Sequence, residues 1–293
     1  MAAKMLQGPP ASLMEKCMTS PQRPDVLFDM AAVARNTARG LAMGTSFDFL
    51  REEVADRMQD RLMDINRQFD SILDIGGRGG MQGAKLVALP ADDAALAATP
   101  GTHDLVISNL SLHWVNDLPG LMVQANHALR PDGLFMASLF GGDTLHELRH
   151  ALIAAEAEIT GGANARVIPF ADVRDLGSLL QRAGFALPVT DMDTITVTYE
   201  HPLKLMQELR GMGEANAMTT RSRNFLRRDV LMRACDIYAA KFAGPDGRVP
   251  ATFQVMYMTG WHPHESQQKP LRPGSGKVNL ADALKAGKPP TAE

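Results

Sequence analysis

The chain has little cysteine, no excess of basic charge and no long apolar run, and each shortage removes a class of protein. Two cysteines, Cys17 and Cys235, in 293 residues supply neither a disulfide framework nor a metal-ligand cluster. A reducing compartment, the cytoplasm, is the simple expectation. A formal net charge of -3 argues against a nucleic-acid binder, which would carry a dominant basic face. No stretch approaches the roughly 20 apolar residues of a membrane helix. The N-terminus holds Pro9, Pro10, Glu15, Pro21 and Pro24 without the apolar stretch of a signal peptide. Residues 1–27 read as a flexible arm and the proline-bearing stretch 266–293 as a polar, disordered tail. No internal repeat is found. What is there is 45% hydrophobic residues, enough for a real core in an α/β domain.

The patterning fills residues 28–265 with alternating elements. Phe47, Leu50, Val54, Met58, Leu62 and Ile65 recur at helical steps, with Glu52, Glu53, Asp56, Arg57, Asp60 and Arg61 between them. Strands are expected over 71–75, 85–89, 104–108 and 134–140, the last two apolar on both faces as interior parallel strands are. Asp117 caps a helix with Pro119 in its first turn and Leu118, Leu121, Met122, Ala125 and Leu129 as its buried stripe. Arg130-Pro131-Asp132-Gly133 ends that helix. Thr144 and Glu147 have the spacing of a capping box. Strand–helix alternation to about Phe185 points to a parallel sheet with right-handed crossovers. Beyond Pro188 come a strand over 193–199, a helix from Pro202 to about Gly211, a helix over 226–243, a turn at 244–247 and a closing strand over 252–261.

The first strand ends Leu73-Asp74-Ile75-Gly76-Gly77-Arg78-Gly79-Gly80. A strand that delivers a carboxylate and then several glycines lets backbone pass close to a nucleoside-type ligand. Only 23 residues, Met81 to His103, separate this loop from the next plain strand. A full nucleotide-binding half needs helix, strand, helix and strand there, so the segment is shortened.

Longer strings are more specific. Asp104-Leu-Val-Ile-Ser-Asn-Leu-Ser-Leu-His-Trp-Val-Asn-Asp-Leu-Pro-Gly120, Leu129-Arg-Pro-Asp-Gly133 and Gly141-Gly-Asp-Thr-Leu-His-Glu-Leu-Arg149 resemble the methyltransferase-like assembly factors of respiratory complex I. The likeness continues through Pro169-Phe-Ala-Asp-Val-Arg-Asp-Leu-Gly177, Arg182-Ala-Gly-Phe185, Gly211-Met-Gly213 and Gly260-Trp-His-Pro-His-Glu-Ser-Gln-Gln-Lys-Pro270. The carboxyl methyltransferase of biotin synthesis is a more distant cousin.

This resemblance implies a class I S-adenosylmethionine fold, seven-stranded with an antiparallel last strand, and a role in maturing a complex I subunit. In mitochondrial members, whose compartment is the matrix, that role is arginine hydroxylation. It implies S-adenosyl-L-methionine as cofactor, held by Asp74, Gly76, Gly77, Gly80, Asp92 and Ser108. Asn109 and His113 would face the reacting group, with a complex I subunit as protein partner and no metal. Two departures stand out: Arg78 replaces a motif glycine, and no residue fills the place of the acid that grips both ribose hydroxyls. Losing that acceptor costs the roughly 1.5–3 kcal/mol of a charge-assisted hydrogen bond or more. A partner-binding pseudoenzyme is therefore the alternative reading, and a small-molecule carboxyl methyltransferase the second. Asp143 with Arg149, and His262 with His264 and Glu265, read more plainly as cap and surface groups than as an acid–base pair and a metal set.

Overall fold

The structure, a computed structural model, describes residues 26–78, 80–91, 94–170 and 173–268. Most of the expected arm and tail lie outside the described residues, as do Gly79 and Asp92. Asp29 opens helix α1 (Met30–Met43), its carboxylate accepting the Ala32 amide at 3.0 Å. The sequence reading does not anticipate α1, because its buried Ala32, Val33, Asn36 and Gly40 mix small and polar residues rather than forming an apolar stripe. Helix α2 (Phe49–Met63) carries the expected stripe, with Leu50, Val54, Met58 and Leu62 buried. Strands β1 (Ile72–Ile75), β2 (Lys85–Val87) and β3 (His103–Ser108) follow, then helix α3 (Leu118–Ala128) and strand β4 (Leu129–Phe140). The chain continues through α4 (His146–Thr160), α5 (Val173–Arg182), β5 (Ala186–Tyr199), α6 (Pro202–Gly211), α7 (Arg228–Phe242) and β6 (Val249–Trp261).

One sheet joins the strands in the order β2-β1-β3-β4-β6-β5. β1 to β4 run parallel, while the last strand, β6, inserts antiparallel between β4 and β5. Among the described residues there are six strands where the resemblance implies seven. Among the described residues, the only helix or strand between the glycine loop and β3 is β2, three residues long. Period-two alternation sends Leu105, Ile107, Leu134 and Met136 to one face, under α2, α4, α6 and α7, and Val106, Phe135 and Ala137 to the other, under α3 and α5. A third apolar cluster, including Phe28, Val33, Trp114, Ile168 and Met218, fastens α1 to the loops above the sheet.

Two local expectations are corrected. Helix α3 does end before Arg130-Pro131-Asp132-Gly133, but Leu129, expected in its buried stripe, already begins β4, and the register shift against β3 between His103 and Leu105 absorbs the irregular stretch. Nor is Thr144-x-x-Glu147 a capping box. The N-cap of α4 is Leu145, in a left-handed conformation at φ 54° with no side-chain cap. Thr144 Oγ1 instead donates to the Gln254 carbonyl at 3.0 Å, and Glu147 accepts from the Thr252 amide at 3.2 Å. Both side chains stitch the start of α4 to β6, a partner more than 100 residues away.

Candidate functional site

From β1 the chain turns to β2 on one side and from β3 to β4 on the other, so a crevice opens at the carboxyl ends of β1 and β3. Open α/β sheets bind ligands at such switch points. A cavity of about 540 Å³ occupies it, walled by Met30, Val33 and Thr37 of α1, by Leu110, Ser111 and Trp114 after β3, and by Gly76 and Arg78 of the glycine loop. That volume is in the range of small-ligand sites. Gly76 is required there: its φ is +95°, and a Cβ would stand 2.5 Å from Ser111 Oγ. Its amide donates to the Val87 carbonyl at 2.8 Å, closing the loop onto β2.

The sequence-predicted residues divide into those around the cavity and those beneath it. Asp74 is buried in β1 at 1% exposure, in register with Leu86 and Ile107. Gly77 and Gly80 also take left-handed backbone values, at φ +67° and +71°, but they are not among the cavity-lining residues. Ser108 donates its Oγ to the Ile75 carbonyl at 2.7 Å and straps β3 to β1. Asn109, expected to face a reacting group, does not line the cavity. Its Nδ2 donates to the Arg51 carbonyl at 2.9 Å, and its Oδ1 accepts from Ser138 Oγ at 2.9 Å. Fully buried, it ties α2 to the sheet. Asp92 lies outside the described residues, and the visible wall after β2 is Ala88, Leu89 and Ala91.

His113 is placed under the site by a carboxylate that sequence reading missed. Its Nε2 donates to Glu214 Oε2 at 3.0 Å, and the next residue, Trp114, donates Nε1 to the same oxygen at 3.1 Å. Arg51 Nη2 donates to Glu214 Oε1 at 2.6 Å, and Arg51 Nη1 to the Met212 carbonyl at 2.6 Å. Burial pushes the Glu214 carboxyl up, but His113, Arg51 and Arg78 overcome it and hold the group below its ordinary value. Burial draws Arg51 below the usual arginine range, with Glu214 opposing. Arg51, Arg78 and Glu214 line the cavity, and behind them Asp48 Oδ1 lies 3.4 Å from Arg78 and 3.6 Å from Arg51, so two cations and two carboxylates alternate beneath it. Arg51 Nε is buried without a hydrogen bond among the described residues.

Glu214 and Trp114 also border a second cavity, of about 610 Å³, at the carboxyl end of β4. Phe140, Leu145, Leu148, Phe170, Leu209 and Phe253 make it largely apolar, and Phe225, 99% exposed, stands at its lip. Two cavities thus meet at one ionised carboxylate.

The remaining candidates do not assemble. Arg149 donates to the Thr144 carbonyl at 3.1 Å, and Asp143 accepts from Gln254 Nε2 at 3.2 Å, so they form no acid–base pair. His262 Nδ1 bonds Asn126 Oδ1 at 2.7 Å and His264 Nδ1 bonds Ser266 Oγ at 2.7 Å. His262 is thus tied back to α3 and His264 to its own turn, with no shared centre between them.

Arg51 had a readable signal: with Ala55, Met58 and Leu62 at steps of four, three and four it falls on the buried side of α2. Glu214 had only its place after the Gly211-Met-Gly213 string.

The parallel sheet with its reversed sixth strand, the glycine loop after β1 and the switch-point cavity define a class I methyltransferase fold. A family profile for the methyltransferase domain matches residues 47–188. The chain is 40% identical over 292 residues to the zebrafish (Danio rerio) protein "Arginine-hydroxylase NDUFAF5, mitochondrial", covering 89% of this chain and 91% of that one. It is 40% identical over 293 residues to the human protein of the same name, covering 90% and 85%. A malonyl-[acyl-carrier protein] O-methyltransferase of Halorhodospira halophila is 34% identical over 244 residues, covering 72% and 81%. The chain belongs to the NDUFAF5 family.

Proposed function

We propose that this chain modifies a protein subunit of respiratory complex I during assembly, taking an arginine side chain as its target and S-adenosyl-L-methionine as its cofactor. The observation that carries this reading is the junction of the two cavities at Glu214, in a chain 40% identical to proteins named arginine hydroxylases. The switch-point cavity suits the cofactor class: apolar walls for the base, and the charges of Arg78, Arg51 and Glu214 in its lining for an amino-acid zwitterion. The orphaned Arg51 Nε is a spare donor beside it. When bound, S-adenosylmethionine supplies an activated methyl group and a positive sulfonium. This chain's own residues bind and orient: Gly76 gives close backbone approach, Arg78 meets an anionic end, and Trp114 with Glu214 separates the two compartments. The second cavity, with Phe225 at its lip, supports a side chain delivered by a protein. The place of action follows the respiratory complex, the matrix in a eukaryote and the cytoplasm in a bacterium.

Calorimetric titration with S-adenosylmethionine tests the first half, with a Kd below about 100 µM, about 5.5 kcal/mol, expected. Mass spectrometry of complex I subunits incubated with the chain, S-adenosylmethionine, dioxygen and a two-electron reductant tests the second, with one oxygen atom gained on an arginine, the other leaving as water, expected. One observation favours a second reading, a partner-binding factor without chemistry: the described part of the connection from β1 to β2 contains no helix, and the described end of β2 presents no acid to a ribose. No heat at millimolar ligand, together with retained subunit binding, would select it.

A further inference from the structure

Helices α1 and α6 cross in backbone contact. A Cβ on Gly40 would stand 2.5 Å from the Gly211 carbonyl oxygen and 3.0 Å from the Gly213 nitrogen, so only a hydrogen fits between them. One residue before each of the two crossing glycines stands an arginine, Arg39 on α1 and Arg210 on α6. Both line the second cavity. The crossing holds these like charges near one another, and among the described residues neither pairs with a carboxylate. Among the described residues Arg39 donates to the neutral Asn36 Oδ1, at 2.8 Å, and to no carboxylate, and its Nε is buried with no hydrogen bond. Arg210 is exposed and forms no ion pair among the described residues. Burial, and then the charge of Arg210, lowers the Arg39 pKa below the ordinary arginine value, as two close uncompensated cations require.

The other charged groups of the cavity are already matched. Arg166 pairs with Glu156, and Glu214 is committed to Arg51, His113 and Trp114. Two positive charges therefore remain over an apolar interior. A guanidinium pair is the preferred receptor for a carboxylate, because each offers planar, paired donors. We infer that Arg39 and Arg210 form a carboxylate-binding site at the mouth of the second cavity, which grips an acidic side chain of the protein substrate while a neighbouring apolar side chain enters the cavity. This deepens the proposed function, resting on the second cavity as the substrate compartment, and it adds a selection rule: the modified segment carries an Asp or Glu beside an apolar residue.

Binding to the full chain tests it, read by calorimetry and by the fluorescence of Trp114 in the cavity wall. The probes are the acetylated, amidated tripeptide leucyl-aspartyl-leucine, its asparaginyl counterpart, and octanoate. The aspartyl peptide is expected to bind about tenfold or more tighter than the asparaginyl one, the range of a charge-assisted hydrogen bond. R210M, at an exposed position, and R39M/R210M should bring the two peptides level. Equal affinity of the two peptides for the unaltered chain would overturn the site, as would a preference that survives the double variant. Octanoate binding without aspartyl-peptide binding would overturn the protein source of the carboxylate. S-adenosylmethionine affinity measured on R210M separates this from the proposed cofactor site, since Arg210 does not line the first cavity and the value should stay unchanged.

Discussion

His113 Nε2 and Glu214 Oε2 lie 3.0 Å apart although 101 positions separate them in sequence. The contact fastens the loop after β3 to the end of α6, and it places an ionised carboxylate between the two cavities.

Breaking this contact should be costly. In E214Q the amide still accepts a hydrogen bond, but the buried Arg51, its side chain only 9% exposed, loses the nearer of its two counter-charges and keeps Asp48 at 3.6 Å. Removing one member of a buried pair costs about 3–5 kcal/mol. Urea unfolding at pH 7 should show a loss of that order.

The same group sets an acid limit. Glu214 is held below its ordinary value of 4.5 in the folded chain, so folding stability from it is complete above that value. Below it, the unfolded chain takes up a proton that the folded chain resists, and stability falls as pH drops toward the lowered folded value. Unfolding free energy measured from pH 6 downward should fall below about pH 4.5, and E214Q should fall less steeply across that window.

Asn109 should behave as a structural residue. N109A removes the buried donor to the Arg51 carbonyl and the acceptor of the Ser138 hydroxyl proton, although Ser138 Oγ still accepts from the Leu110 amide at 3.0 Å. A buried group left unsatisfied costs about 1–3 kcal/mol, so the thermal midpoint should drop. S-adenosylmethionine binding to the protein that remains folded should stay within about twofold of the parent, a shift of about 0.4 kcal/mol. A complete loss of binding in folded N109A would put its side chain back at the ligand.

Arg78 gives a ligand-specific outcome. If its guanidinium meets the carboxylate end of the cofactor, R78A should weaken S-adenosylmethionine about tenfold, the value of one charge-assisted hydrogen bond. Adenosine, which has no carboxylate, should be unaffected. Paired titrations of the two ligands read the difference.

Gly40 tests the helix crossing. Alanine in a helix is normally better than glycine by about 1 kcal/mol. Here its methyl would press on the Gly211 carbonyl at 2.5 Å, so G40A should destabilise by about 1–3 kcal/mol, the cost of overpacking. Calorimetric melting gives the sign directly.

Most of the sheet was legible in the sequence because its signals are local. Apolar runs on both faces mark interior strands, the α2 stripe repeats at helical steps, and Asp117 with Pro119 announces α3, whose cap the structure bears out at 2.9 Å from the Gly120 amide. The shortened span between the glycine loop and β3 follows from counting residues, and the family from strings such as Asp104 to Gly120. Thr144 and Glu147 misled because a capping box and a pair of inter-element straps share one spacing, and only the approach of β6 decides between them.

Apart from α1, the sequence by itself determined which segments become strands and helices, since periodicity, glycine turns and caps act within a few residues. Tertiary structure alone decided the site. Arg51, His113, Trp114 and Glu214 meet only after α2, the loop after β3 and the end of α6 have packed together, and Arg39 meets Arg210 only because two glycines let their helices touch. Coulombic and hydrogen-bond partnerships of that kind depend on distances in space, which no spacing along the chain encodes.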